Sequence, residues 1–540
     1  MTPKPLDPHT PMLTVATDSS MQPSTRPDRS ILYLCLILLL GFGLRFAGLW
    51  WGQGYFYFGQ GDGIEAYSFA VDYGQGQPRA QYIAQPNYNE RSKMPGPLWT
   101  IFCYAGLRLW GSMEGVVFEL ILLNSATIFL IWLLARQTLG PTTALWAALL
   151  VATLPSPVFY SAGVYNPEVM PFLGTLLFLA LWQVTRCDGS RQAFWLGPLL
   201  LAMLQFHMSG LMLWPAVAVV LTLSGKKLNF SWLVAGFAAG LLIYVPYLHG
   251  ESTHGWQNTI GMFHGKGGRT WDSLKAISIP FNFLVNLVPR WTRTFAQYRE
   301  MGRSCFGWFG LLLALNVLSI AVASAQSFGA FQQIRTAVRG QWRAPHQMFQ
   351  RSPGLVFHTT LLLLPMAFAL LSGKPFHTRY ALVFLPVVAI LAACGTAQAL
   401  QWSRFGRWFL TALVITTCVD VWFMPAFYHH QAQRIAQGDL FIPGFRKLEV
   451  VYQSLKNHAG NRPIQIDDAA YLHSLAPQDD DHRDISLVRR YTIVRERETG
   501  APASTNSPAL VYKLCRANEV TEENAAVGFR GNGIALVAQP

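Results

Sequence analysis

The chain has 540 residues, 51% of them hydrophobic and only 13% charged, with a mean hydropathy of +0.26 and a formal net charge of +13. A soluble protein of this length needs a charged shell of about 25% of its residues, and that shell is missing before residue 430, which excludes an ordinary soluble enzyme. The basic excess lies in short segments between apolar runs rather than in one patch, which excludes a nucleic-acid partner.

Residues 1–29 are rich in Pro, Ser and Thr and read as a disordered tail. Ile31 to Leu49 then forms an apolar run long enough to cross a ~30 Å hydrocarbon core. Bulky Trp50 and Trp51 follow in place of a small-residue cleavage site, so the pattern predicts an uncleaved first helix. Further spans are expected near 115–135, 142–162, 168–185, 193–207, 209–224, 230–248, 305–325, 355–372, 379–399 and 407–427, about eleven in all. The short pair 193–207 and 209–224 also reads as one bent span. Two apolar stretches, 97–110 and 277–289, are too short to cross and read as interfacial or re-entrant.

Short loops set orientation. Arg136, Arg186, Arg191, Lys226, Lys227, Arg335, Arg339, Arg343, Arg351, Arg404 and Arg407 fall on one side, together with Arg26 and Arg29 of the tail. The opposite short loops hold only Lys374 and Arg379. The tail is therefore expected in the cytoplasm, and the long loops 51–114 and 249–304 outside it. From 430 onwards the character changes. A helical pattern at Phe445–His458 is followed by β-like runs at Ile464–Ile466, Ser486–Val494, Ala509–Leu514 and Gly533–Ala538, which predicts a small outward-facing α/β domain. The expected organisation is thus a tail (1–29), an all-α polytopic membrane domain (30–429) and a soluble domain (430–540).

The seven cysteines are dispersed without metal-ligand spacing and form no disulfide framework. Asp479-Asp-Asp481-His482 reads as a solvated loop. No Walker loop, GxGxxG, HExxH or nucleophile elbow occurs. Ionisable groups near membrane depth are costly and mark function, and here they gather on the expected outer side. Asp62 lies in Gly59-Gln-Gly-Asp62-Gly-Ile-Glu65, where the three-residue spacing to Glu65 also suits a capping box. Glu168, in Tyr165-Asn166-Pro167-Glu168, is equally suited to the first turn of a helix. Lys93, in Ser92-Lys93-Met-Pro95-Gly-Pro97-Leu98, reads either as a snorkelling lysine or as an anion contact. His377 and Arg379-Tyr380 open a late span, His207 sits between two short spans, and Glu251 follows Pro246-Tyr247. His207 and Glu251 also fit plain packing roles.

These strings, in this order, resemble the GT-C glycosyltransferases, in particular the protein mannosyltransferase and aminoarabinose transferase-like group (glycosyltransferase family 39-like). The resemblance covers residues 30–430 and rests on Leu44-Arg45-Phe46 ending the first span, Asp62 ahead of a juxtamembrane helix, Lys93 to Leu98 leading into an apolar run, Glu168, Gln205-Phe-His207, and Arg379-Tyr380 with Pro386. It implies a GT-C fold and transfer, with inversion, of a sugar from a polyprenyl-phosphate donor to an envelope glycan, lipid or protein at the outer face of the cell membrane. Asp62 is implied as general base, with Glu168 orienting the acceptor or sharing that role. Lys93 and Arg379 are implied at the leaving phosphate, with His377, His207, Glu251 and Tyr380 lining the substrate site. A divalent metal is used by some relatives and not by others. The competing readings are a transporter or flippase for a lipid-linked or anionic substrate, and a non-catalytic envelope scaffold. No internal repeat supports the transporter.

Overall fold

A computed structural model describes residues 29–52, 62–89, 92–161, 163–263, 274–285, 295–339, 345–372, 378–436, 445–460, 462, 464–467, 491–496, 498, 510–516 and 534–538. The chain is a multi-pass helical bundle. Backbone polar groups find no water in hydrocarbon, so helices that bond their own amides are the economical way to cross it.

The first span is α1 (Arg29–Gly52). Leu34, Leu44 and Ala47 turn inward, while Ile31, Leu32, Leu36 and Leu39 stay on its lipid-facing surface. A peripheral group follows: α2 (Asp62–Gly74), the antiparallel hairpin β1 (Ile83–Asn89) and β2 (Ser92–Pro95), and α3 (Leu98–Trp110). The bundle resumes with α4 (Glu114–Leu139), α5 (Pro141–Thr153) and α6 (Pro155–Phe159). The span expected at 142–162 is thus interrupted at Leu154, because Pro155 has no N–H to continue the ladder and instead starts a new helix. Then come α7 (Met170–Arg186), entered through a 3-10 turn at Asn166–Val169, α8 (Ala193–Phe206), and α9 (Leu213–Ser224), entered through a 3-10 turn at Met208–Met212.

The expected span 230–248 is broken. α10 (Phe230–Leu242) and α11 (Val245–Thr253) meet at 51°, with Pro246 in the first turn of the second piece. After α12 (Gln257–Phe263), α13 (Lys275–Leu284) and α14 (Phe295–Phe306) come α15 (Phe309–Val338), α16 (Pro345–Arg351) and α17 (Pro353–Ser372). The 3-10 stretch Thr378–Phe384 leads into α18 (Leu385–Ala399), and α19 (Gly406–Ala436) ends the bundle. Among the described residues seven helices are long and apolar enough to cross a membrane, and the bent pair α10–α11 is an eighth. Three shorter apolar helices, 141–153, 193–206 and 208–224, fall at the remaining expected positions.

The span that contains α18 is the most enclosed of these, with 89% of it buried. Small residues let α15 approach it: a Cβ on Gly395 would overlap the Gln326 carbonyl, and one on Gly329 would lie 2.5 Å from the Gly395 carbonyl. The close approach also brings the buried Gln326 Nε2 within 3.1 Å of Thr396 Oγ1, to which it donates.

The C-terminal region carries α20 (Phe445–Ala459) and a three-stranded sheet in the order β3 (Ile464–Asp467), β4 (Leu510–Arg516), β5 (Ile534–Ala538). β3 and β4 are parallel, and β4 and β5 are antiparallel. The expected strand at Ser486–Val494 is corrected where it is described. Residues 491–496 form a short helix, α21, that buries Tyr491 and Val494 one turn apart. The Asp479–His482 run lies outside the described residues.

Gly395→Val is expected to wedge α15 from α18 at a cost of about 1–3 kcal/mol. Thermal unfolding of the detergent-purified protein checks this by a lowered midpoint.

Candidate functional site

The bundle builds half of the site at one end. Pro167 opens the 3-10 turn Asn166–Val169, and Asn124 of α4 holds that turn by donating to the Glu168 carbonyl (3.0 Å) and to Leu120 O (3.0 Å). The Glu168 side chain is only 4% exposed, and its Oε2 accepts the Gly163 N–H at 3.1 Å. The approach is close: a Cβ on Gly163 would lie 2.7 Å from Glu168 Oε1 and would displace the carboxylate. Asn166 donates across to the Phe206 carbonyl, which ties this turn to the end of α8.

His207 comes next in the chain. Its Nδ1 accepts the Ser209 N–H at 3.1 Å and stands 2.9 Å from Ser209 Oγ. An Nδ1 that accepts an amide proton leaves the proton of a neutral ring on Nε2. The ring lies 4.8 Å from that of Tyr380. The Arg379 guanidinium sits over Tyr165 at 4.6 Å and near the Tyr380 ring at 5.5 Å, an arrangement in which aromatic faces stabilise a cation without neutralising it. Glu168, His207, Arg379 and Tyr380 are therefore joined through Tyr165, Asn166 and Phe206.

Arg45 supports this half from behind. Fully buried in α1, it donates to Ser161 Oγ (3.0 Å), Val151 O (2.8 Å), Gly41 O (2.9 Å) and Ala152 O (3.3 Å). Those bonds fix the segment that delivers Gly163 and Tyr165.

The peripheral half is built around Lys93 on β2. Asn258 of α12 accepts the Lys93 N–H (2.7 Å) and donates to its carbonyl (3.2 Å), and it also donates to Tyr247 Oη (3.2 Å). The Lys93 ammonium lies over the Phe69 ring of α2 at 5.3 Å. Burial pulls its pKa down to about 8; the Glu65 carboxylate works against that shift and the exposed Arg79 guanidinium adds to it. Glu251 belongs to the support of this half, since its Oε2 accepts the Thr259 N–H at 2.6 Å and Thr259 Oγ1 bonds Tyr247 Oη at 2.8 Å. Gln205 joins the halves: its Oε1 accepts the Leu98 N–H (3.3 Å) and its Nε2 donates to Ile243 O (2.9 Å). Asp62 is the first residue of α2, but its side chain lies outside the described residues, as does His377 altogether.

Residues 92–249 match a family profile described as dolichyl-phosphate-mannose-protein mannosyltransferase. Two solved structures resemble the chain over nearly its whole length. One is ArnT from Cupriavidus metallidurans bound to undecaprenyl phosphate, at 12% identity and a TM-score of 0.54, covering 94% of this chain and 97% of the other. The other is the same organism's ArnT in the apo state, at 11% identity and 0.52, covering 89% and 92%. No curated protein matches the sequence. The chain has a GT-C fold. The fold that the sequence motifs imply is borne out.

Within this GT-C bundle α7 runs from just after Glu168 to Arg186, and the 208–224 helix runs from beside His207 towards Lys226. The arginine- and lysine-rich turns therefore lie at the end opposite the site. There Asp188 accepts the Lys227 N–H (2.7 Å) and pairs with Lys226 (3.7 Å). The sequence reading singled out Glu168, Lys93, His207, Arg379 and Tyr380 but not their connectors Tyr165, Asn166, Asn258 and Tyr247. Tyr165 and Asn166 were legible as neighbours of Glu168, whereas Asn258 carries no local signal.

Asn258→Ala leaves both polar groups of Lys93 without their side-chain partner at an expected cost of about 1–3 kcal/mol. Faster amide exchange across 83–95, with the bundle helices unchanged, is the measurement that checks it.

Proposed function

We propose that the protein transfers a sugar from a polyprenyl-phosphate donor to an envelope glycan, lipid or protein at the outer face of the cell membrane. The observation that carries this reading is the tie through Gln205, which places the Lys93 loop against the His207–Arg379–Glu168 cluster at one end of a GT-C bundle. The likeness to a structure whose lipid ligand is undecaprenyl phosphate supports a donor of that class. The cationic turns at the other end support a cytoplasmic N-terminus and an outward-facing site.

Charge dictates the roles. An acceptor hydroxyl must give up its proton as it attacks the anomeric carbon, and the carboxylate of Asp62 takes it as general base. Glu168, held by the Gly163 amide, orients the acceptor. The leaving lipid phosphate gains charge in the transition state, and the fixed cations Lys93 and Arg379 stabilise it. Arg379 offers a planar fork suited to phosphate oxygens, and His207, His377 and Tyr380 line the same end. Glu251 acts from the second rank, by fixing the α11–α12 turn that holds Lys93. Direct displacement inverts the anomeric centre. Among the described residues no three His, Cys, Asp or Glu side chains gather as metal ligands.

The deciding experiment is mass spectrometry of lipid-linked sugars and envelope glycans in a deletion strain rescued with wild type or with Asp62→Asn at equal protein levels. Loss of one glycan sugar, with its polyprenyl-phosphate donor accumulating in the mutant, is expected. Full rescue by Asp62→Asn overturns the assignment of the base and brings the transporter and scaffold readings forward.

The Lys93 ammonium gives a second check. With a pKa of about 8, its charged fraction falls about tenfold between pH 7 and pH 9. The donor KM is expected to rise to match, and Lys93→Arg, whose guanidinium stays charged, is expected to flatten that alkaline limb.

A further inference from the structure

Helix α2 is gripped on the side away from Lys93. On α2 the Phe69 ring lies under the Lys93 ammonium, and the Glu65 carboxylate one turn away acts on its charge. Tyr67 is two residues from each, about 200° around the helix at 100° per residue, and it is 1% exposed. Its ring stacks on Tyr491 of α21 at 5.8 Å, and its hydroxyl donates to Glu498. Tyr491 is itself 1% exposed.

Behind this stack lies one continuous polar network. The Arg495 guanidinium forks onto both oxygens of Glu449, with Nε to Oε2 at 2.9 Å and NH2 to Oε1 at 2.7 Å, and it also donates to Glu498. The Tyr491 hydroxyl donates to Glu449 as well. Burial opposes ionisation of Glu449, yet the bonds from Arg495, Tyr491 and Gln453 and the Arg495 charge hold its carboxyl below its ordinary value. A second rank, Tyr452 and Lys456, each 2.9 Å from Glu496, pins α21 to α20. Bidentate and charge-assisted bonds of this kind fix geometry more than they add stability. The outer members of the network, the Tyr491 ring and the Glu498 carboxylate, close on a residue of α2.

We propose that the C-terminal domain is a positioning device for α2, in which Tyr491 and Glu498 seize Tyr67 and so hold Glu65, and Asp62 at the head of the same helix, opposite Lys93. Tyr491, Arg495 and Glu498 are positioning residues that act through Tyr67. The consequence for turnover rests on the proposed transferase reading; the grip itself does not.

The test uses the full-length protein in nanodiscs and two readouts. Hydrogen exchange across 62–74 is expected to rise about tenfold or more in Tyr491→Ala, the effect of losing an aromatic pair together with the bonds it organises, with α4 and α18 unchanged. Tyr491→Phe keeps the ring and is expected to retain most of the protection. Glu498→Ala leaves the Arg495–Glu449 fork in place and is expected to raise α2 exchange even if Tyr491→Ala disturbs α21. In turnover, Tyr491→Ala is expected to lower kcat about tenfold with the donor KM within about twofold, since Lys93 and Arg379 are carried on β2 and the 378–384 stretch rather than on α2. Unchanged α2 exchange in both Tyr491→Ala and Glu498→Ala overturns the proposal. Raised α2 exchange in these variants, beside a wild type that transfers no sugar, leaves the grip standing and removes the transferase reading instead.

Discussion

Gln205 is wholly buried, and its carboxamide faces two backbones at once. Leu98 N–H, which it accepts, belongs to the first turn of α3, and Ile243 O, to which it donates, sits at the break between α10 and α11. Both are helix-end groups that no helix satisfies internally, and in a membrane protein solvent is a poor substitute. The contact is possible only because Gly96 has no side chain: a Cβ there would overlap the carboxamide, and its φ of +105° lies in a region that other residues avoid. On either side of that bond the two halves of the site are assembled.

Those halves are built differently. Glu168, Arg379 and His207 are set at the ends of bundle helices whose interiors are nearly all apolar, so their positions follow from the packing of the whole membrane domain. Lys93 and Glu65 are set on a hairpin and a short helix that bury Ile64, Tyr67, Ala70, Ala84 and Met94 in the main core, with a small second cluster at Tyr82, Ile83 and Tyr247. The Lys93 backbone itself is held by side-chain bonds from Asn258 of α12.

The spans were legible because an apolar run of sufficient length has few other fates. Their breaks were less so: Pro155 and Pro246 are visible in the sequence, but whether a proline kinks or ends a helix depends on what receives the freed backbone groups. Tyr491-Thr-Ile-Val494 reads as a strand from its β-branched residues, yet it forms a helix because burying Tyr491 and Val494 together requires a spacing of one turn rather than alternation. The β1–β2 hairpin escaped notice because Ile83-Ala-Gln-Pro-Asn-Tyr-Asn89 does not alternate, in keeping with its two register irregularities. Of the site, the sequence strings included Glu168, His207, Arg379 and Tyr380, which the bundle brings to one end. It did not reveal that Tyr165 lies under Arg379 or that Asn258 carries Lys93, because such contacts join segments with no shared pattern.

Arg45 places a condition on how the protein is made. Three of its four acceptors, Val151, Ala152 and Ser161, lie 106 to 116 residues further along the chain. A ribosome that has finished the first span has therefore delivered a guanidinium to the membrane well before the groups that will enclose it exist. In that interval the charge must keep its head in water at the interface, and α1 settles to its final depth only when the α5–α6 segment arrives. Helix α1 is thus among those that cannot finish folding alone.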